Sequence, residues 1–161
     1  MPTVTVSRRL TCSAEQIFAL VADVECYPEF PPWWVAARVQ KREAHAYETD
    51  QVIRFGIVQE RFSSRTILEP HRRISVTATG GSLRCLELDW WFEALPGDGA
   101  EVRLSAEIAF GSYPLNALFE RVLTRALDRI ITVFEGRARQ VHGPGRRVAA
   151  AARSARAGRR L

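Results

Sequence analysis

PLNALFERVLTRALDRIITVFEGRARQVH, running from Pro114 to His142, decides the fold. Within it Leu115, Leu118, Phe119, Val122, Leu123, Ala126, Ile130, Val133, Phe134, Ala138 and Val141 recur at the spacing that gathers apolar side chains on one face of an α-helix. Pro114 stands near the start, where a missing amide is tolerated, and Gly143-Pro144 closes the far end. One amphipathic helix of about 28 residues is therefore expected, and at 1.5 Å per residue it runs roughly 40 Å, long enough to cross the face of a curved sheet.

What precedes the helix reads as that sheet. From Trp34 to Phe110 apolar residues mostly alternate, with turn-like breaks at Lys41 to Ala46, Pro70-His-Arg-Arg73, Gly80-Gly81-Ser82 and Pro96-Gly-Asp-Gly99. Phe62, Ser64, Thr66 and Leu68 share one face of a strand. Leu86, Leu88, Trp90 and Phe92 share a face of another, and Val102, Leu104, Ala106, Ile108 and Phe110 a face of a third. Successive strands joined by short turns, with no helix between them, imply an antiparallel meander.

Ahead of the meander, Thr3 to Leu10 reads as an edge-like strand with Val4, Val6 and Arg8 on one face. Ser13-Ala-Glu-Gln16 forms a capping box, and the short helix it opens turns Ile17, Phe18, Leu20 and Val21 inward and stops before Tyr27-Pro28. The fold class is α+β, in the order strand, short helix, antiparallel strands, long helix, and no internal repeat is visible. A single helix laid in the concave face of one sheet leaves a gap wherever side chains fail to meet. Such a gap is a natural ligand cavity.

The stretch VADVECYPEFPPWW, Val21 to Trp34, delivers Tyr27, Phe30, Trp33 and Trp34 before any strand of the meander begins. Pro28, Pro31 and Pro32 fix φ and push the preceding residues away from helix, so a stiff extended loop is expected. Aromatics held on such a loop either cap the end of a core or line the mouth of an apolar pocket. On the inner strand face, Ser64 and Thr66 lie between Phe62 and Leu68, where a hydroxyl either bonds a backbone group or meets a polar atom of a ligand. Arg61 and Arg65 fall on the opposite parity and face outward.

The chain has 161 residues, 47% hydrophobic and 25% charged, which suits one domain with a sizeable core. Its net charge of +5 conceals an asymmetry. The segment from Gly143 to Leu161 holds Arg146, Arg147, Arg153, Arg156, Arg159 and Arg160 with no acid; setting these six aside leaves 17 basic residues against 18 acidic ones. The basicity belongs to the tail, which has too little apolar surface to fold alone. A solvated tail, a contact with an anionic membrane and a contact with RNA all fit, because charge alone does not choose between polyanions.

Cys12, Cys26 and Cys85 are odd in number and widely spaced, so neither a disulfide framework nor a thiolate zinc site is indicated. No run reaches the roughly 18 apolar residues of a membrane span. Met1 to Leu10 alternates like a strand and lacks the apolar region of a signal peptide, which leaves a reducing cytoplasmic setting as the default. Catalytic signatures are missing too: there is no phosphate-cradling glycine loop, HExxH motif or serine elbow. His45, His71 and His142 fall in turns or at the helix end, and Asp23, Glu25 and Glu29 read as a solvated cluster.

Several of these stretches resemble the coenzyme Q-binding proteins. The resemblance is carried by VADVECYPEFPPWW at Val21 to Trp34, ERFSSRTILEPHRRI at Glu60 to Ile74, LELDWWFEA at Leu86 to Ala94, IAFGS at Ile108 to Ser112 and FEGRARQVHG at Phe134 to Gly143. That family shares a START-like, polyketide cyclase/dehydrase-like domain with bacterial ribosome-association toxins. The resemblance implies a helix-grip fold over residues 1–143, a curved antiparallel sheet around the long helix with a hydrophobic tunnel between them, and leaves residues 144–161 as a basic Arg/Ala-rich disordered tail. It also implies non-catalytic binding and delivery of ubiquinone or a related polyprenyl lipid in support of respiratory electron transport, with no cofactor, no metal and no catalytic residue. The expected location is the cytoplasmic default given above, with peripheral contact at the inner membrane through the Arg-rich tail. A ribosome-binding factor and a polyketide cyclase or aromatase are the alternatives within the same family.

In the tunnel reading, Phe119, Leu123, Leu127, Ile130 and Phe134 line one side and Phe30, Trp33, Trp90 and Phe92 approach from the loop and the sheet, whereas in the other reading all nine form a closed core. Ser64, Thr66 or Tyr113 supplies hydrogen bonds to a head group. Three positions depart from the usual family pattern. Trp34 stands where a small residue is usual, Gly80-Gly81-Ser82 where Gly-Pro-Phe is usual, and Leu88 where Asn is usual, which makes the inner face more apolar.

Overall fold

Among the described residues, alternation of inward and outward side chains builds seven strands: β1 (Val4–Leu10), β2 (Trp34–Arg42), β3 (Ala46–Phe55), β4 (Val58–Glu69), β5 (Arg73–Gly80), β6 (Leu83–Ala94) and β7 (Ala100–Phe110). The computed structural model describes residues 3–55 and 57–142. All seven strands lie in one antiparallel sheet, in the order β1-β7-β6-β5-β4-β3-β2. The six strands from β2 to β7 are thus the meander read from the sequence, and β1 returns to pair beside β7, with Val6 opposite Leu104. Helices α1 (Ala14–Ala22) and α2 (Tyr113–His142) pack on the inner face of this curved sheet.

Local chemistry accounts for the helix starts. Ser13 Oγ accepts from the Gln16 amide at 3.1 Å while Gln16 Oε1 accepts from the Ser13 amide at 3.0 Å, so the expected capping box satisfies two amides that the helix leaves without partners. Asn116, in the first turn of α2, grips the end of β7 from both sides: its Oδ1 accepts from the Phe110 amide at 2.7 Å and its Nδ2 donates to the Phe110 carbonyl at 2.9 Å. Arg8 shares the parity of Val4 and Val6 because it reaches α2, where it pairs with Asp128 and donates to Thr132 Oγ1 at 2.6 Å. Gly80 is demanded by space and backbone: its φ is +141°, and a Cβ there would stand 2.9 Å from Phe62 Cα on the neighbouring strand.

Three expectations need correction. Residues Val24–Glu29 form a 3-10 helix rather than an extended loop, with Pro28 inside it and the Phe30 amide bonded to the Tyr27 carbonyl at 3.1 Å. Proline's φ lies within the 3-10 range, so the prolines stiffen a turn instead of straightening the chain. The sheet also turns between Phe55 and Val58, a place where alternation conceals the break because Ile57 and Val58 prolong the apolar pattern. Finally, Leu118, Val122 and Val141 are 55%, 38% and 41% exposed, and the buried face of α2 consists of Leu123, Leu127, Ile131, Phe134 and Ala138. The apolar residues of this helix cover more of its circumference than one sheet face can bury, and packing selects a narrower stripe.

The core joins Ile17 and Val21 of α1, Ile74 of β5, Val102 and Leu104 of β7, and Leu127 and Ile131 of α2, each with at most 2% of its surface exposed. No helix among the described residues is long and apolar enough to cross a membrane. Gly143-Pro144 and the arginine-rich tail lie outside the described residues.

Candidate functional site

Where α2 passes over β3 to β6, the side chains leave a cavity of about 70 Å³. Its floor is apolar sheet surface from Phe62, Ile74, Val76, Leu86, Leu88 and Trp90, and α2 contributes Ile130 and Phe134. Val21, Val24, Tyr27 and Trp34 close the end nearest the 3-10 helix, while Tyr47, Gln51 and Thr66 are the polar members. Phe134 is the centre of the wall, its ring edge-on to Phe30, Tyr27 and Trp90 at centroid distances of 5.1, 5.2 and 5.3 Å.

The polar members belong to networks that strand register assembles. Thr49 lies opposite Ser64 across β3 and β4, and their hydroxyl oxygens are 2.5 Å apart. Gln51 Nε2 donates to Thr49 Oγ1 at 2.8 Å and to Ser64 Oγ at 3.0 Å, while its Oε1 accepts from the Trp34 indole at 3.0 Å. Tyr47 donates to the Ala22 carbonyl at 2.8 Å and is bonded to Thr66. Among the described residues no buried side-chain nitrogen or oxygen lacks a partner, as stability requires when polar groups leave water.

Burial pushes the Tyr47 hydroxyl up to about 12, an effect moderated by the Thr66 hydrogen bond and by Arg42, and burial likewise raises Tyr27 well above its ordinary value. A folded pKa above the unfolded one contributes stability that is complete below pH 10 and is lost as the pH rises through the folded value. For Tyr47 that loss is about 2–3 kcal/mol between roughly pH 10 and 12. Urea unfolding followed across this range is expected to show declining stability, with a shallower decline in Tyr47→Phe. An identical slope in the variant would remove Tyr47 as the cause.

The structure distributes the expected site residues over several places. Thr66, Trp90, Ile130 and Phe134 line the cavity. Ser64 stands just behind it in the Thr49–Gln51 network, bonded to side chains rather than to a backbone group. Phe30 backs the cavity wall through Tyr27 and Phe134. Phe92, Leu123 and Leu127 are packed into the core, Phe92 against Phe18 and Trp90. Phe119 packs against Phe110 with ring centroids 4.5 Å apart and planes tilted by 41°, and Tyr113 is 84% exposed. Trp33 lines a second concavity, an open groove of about 250 Å³ formed with Val122, Arg125, Ala126, Arg129 and Ile130.

Cavity and groove share Ile130 as a wall. Trp34 and Leu88, two of the departures from the usual family pattern, both face the cavity. Sequence reasoning missed Tyr47, Thr49 and Gln51, although the alternation of acidic Glu48 and Asp50 with these residues marks them as one inner face. The acidic cluster makes specific pairs instead of being merely solvated. Asp23 accepts from the Cys26 thiol at 2.9 Å and raises that thiol to about 11, Glu25 pairs with Arg42 and Glu29 with Arg137. His45 and His71 are exposed, and no histidine lines the cavity.

Known proteins share this architecture. Ribosome association toxin RatA of Vibrio cholerae is 31% identical over 144 residues, which cover 89% of this chain and 99% of RatA. A START superfamily protein from Mycobacterium smegmatis superimposes with a TM-score of 0.78 at 16% identity over 86% of this chain and 98% of its own. The Zhui aromatase/cyclase from Streptomyces sp. R1128 does so with a TM-score of 0.79 at 16% identity, over 89% and 98% respectively. These two likenesses concern the helix-grip, START-type fold. Residues 10–135 match the family described as polyketide cyclase / dehydrase and lipid transport, and this chain belongs to that family.

Proposed function

We propose that residues 1–143 bind and deliver an isoprenoid quinone, ubiquinone, without catalysis, in support of respiratory electron transport. The observation that carries this reading is the wall shared by two concavities: an inner apolar cavity with hydroxyl and amide groups at one end, and an outer groove, meet at Ile130. The quinone ring takes the inner cavity, and the isoprenoid chain leaves past Ile130 into the groove beside Trp33. At about 70 Å³ the inner cavity is closed around less than a ring, so entry requires Ile130 and the Trp33-Trp34 segment to part. A quinone carbonyl needs one or two donors, and Thr66 and Gln51 supply them by exchanging bonds with their present neighbours. The chain provides affinity by burial, at roughly 25 cal/mol per Å² of apolar surface.

The non-catalytic part of the reading is supported by the titratable groups that line the cavity among the described residues, Tyr27 and Tyr47, whose hydroxyls burial holds protonated well above neutral pH. Protein purified from its own host is expected to carry a quinone detectable by lipid mass spectrometry, and added ubiquinone is expected to raise its melting temperature. An empty protein that ubiquinone neither binds nor stabilises would sink the proposal.

A second reading is favoured by the 31% identity to RatA over 89% of this chain: association with the ribosome, with the six arginines of the 144–161 tail contacting rRNA. Counterion release makes such binding fall steeply with salt. Sedimentation with ribosomal subunits at low and high salt separates the two readings.

A further inference from the structure

The outward side of α2 combines exposed apolar side chains with arginines that no acid opposes. Leu118 and Val122 are 55% and 38% exposed one turn apart, and Arg125 and Arg129 continue the same row toward Trp33. At about 100° per residue, Leu118, Val122, Arg125 and Arg129 fall within roughly 60° of one another. None of the three acids of α2, Glu120, Asp128 and Glu135, shares that sector, and Arg121 flanks it. Asp128 is committed to Arg8 and Glu135 to Arg139, whereas Arg121, Arg125 and Arg129 have no acidic partner among the described residues. The Arg129 guanidinium lies 5.1 Å over the Trp33 ring.

We infer that this face of α2, with Trp33, docks the protein on an anionic bilayer surface. A row of unopposed guanidinium groups selects a negative surface, and its charge complementarity holds for phospholipid head groups and nucleic acid alike. The apolar members decide between them. Exposed Leu118 and Val122 contribute to binding only where apolar surface leaves water, as at the boundary of head groups and acyl chains, and they add nothing on a phosphate backbone. The groove between Trp33 and Ile130 opens in this same face, so docking sets the entrance of the cavity against the bilayer. This inference deepens the lipid-carrier reading and rests on it for what passes through the entrance; the docking itself does not require quinone.

Co-sedimentation of the full chain with quinone-free vesicles tests the docking. Wild-type protein is expected to bind phosphatidylcholine vesicles that contain phosphatidylglycerol and to bind pure phosphatidylcholine far less. A basic residue near an anionic surface contributes roughly a fivefold gain in partitioning, so Arg125→Gln/Arg129→Gln is expected to lower binding about 25-fold. Leu118→Ser/Val122→Ser is expected to weaken it as well, with the melting temperature nearly unchanged because these side chains are exposed. The tail is intact in every variant. Vesicle binding equal to wild type in both variants would overturn the proposal by assigning all attraction to the tail. Loss of ribosomal-subunit binding with vesicle binding retained would assign the face to RNA and overturn it equally. A separate melting experiment with short-chain ubiquinone in solution reads the cavity alone, so failure there leaves the docking result standing and identifies the carrier reading as the one at fault.

Discussion

Phe134→Ala is expected to destabilise the protein by about 3–5 kcal/mol, the range for removing a large aromatic from a core that cannot fully collapse. The expectation is at the high end for one substitution because Phe134 is 2% exposed and joins four structural units: the 3-10 helix through Tyr27, the following turn through Phe30, β6 through Trp90, and α2 itself. It also borders the existing cavity, so truncation enlarges a void instead of opening an isolated one. For a domain of this size the melting temperature should fall by roughly 10 °C or more. A loss below about 1 kcal/mol would mean that the wall around Phe134 repacks freely, contrary to its edge-on packing against Tyr27, Phe30 and Trp90.

The second large effect concerns ligand rather than stability. Ile130→Trp is expected to reduce ubiquinone binding at least about tenfold, since one methylene too many in a tight apolar site already costs up to a few kcal/mol. Folding should be retained, because Ile130 is only half-buried and borders the open groove of about 250 Å³, which can receive the indole. Leu123→Trp should behave in the opposite way. Leu123 is 5% exposed, belongs to the core and borders neither concavity, so the larger side chain overpacks the interior at a cost of about 1–3 kcal/mol. Melting curves of the ligand-free variants and a ubiquinone titration distinguish the two. A stably folded Ile130→Trp that still binds ubiquinone normally would remove Ile130 from the path.

The legible and illegible parts of this site divide along a physical line. Thr66, Trp90, Ile130 and Phe134 were within reach of sequence reasoning because each sits in an apolar pattern long enough to define a face. Tyr47 and Gln51 carry no such signal, and Trp34 is legible only as one of the aromatics at a pocket mouth. Their importance depends on register: Thr49 lies opposite Ser64, and β2 brings Trp34 against β3, close enough for its indole to reach Gln51. Periodicity says which side of a strand a residue faces, but it does not say which residue stands across from it.

The helix shows the same limit in a second form. Its spacing announced one long amphipathic element ending a meander, and that followed from the sequence alone because helical and strand periods differ and each element repeats its period many times. So did the capping box, the outward placement of Arg61 and Arg65, and the concentration of positive charge beyond residue 143. The rotation of α2 about its own axis did not follow. Apolar residues occupy more than half its circumference, and only contact with the sheet decided that Leu127 and Ile131 turn inward while Leu118 and Val122 face solvent. That rotation makes Ile130 the wall between the cavity and the groove and places Arg125 and Arg129 beside its mouth. Local periodicity thus determined the elements and their order, whereas the cavity and the face around its entrance arose from how those elements pack, because close packing depends on the shapes of all the surfaces that meet.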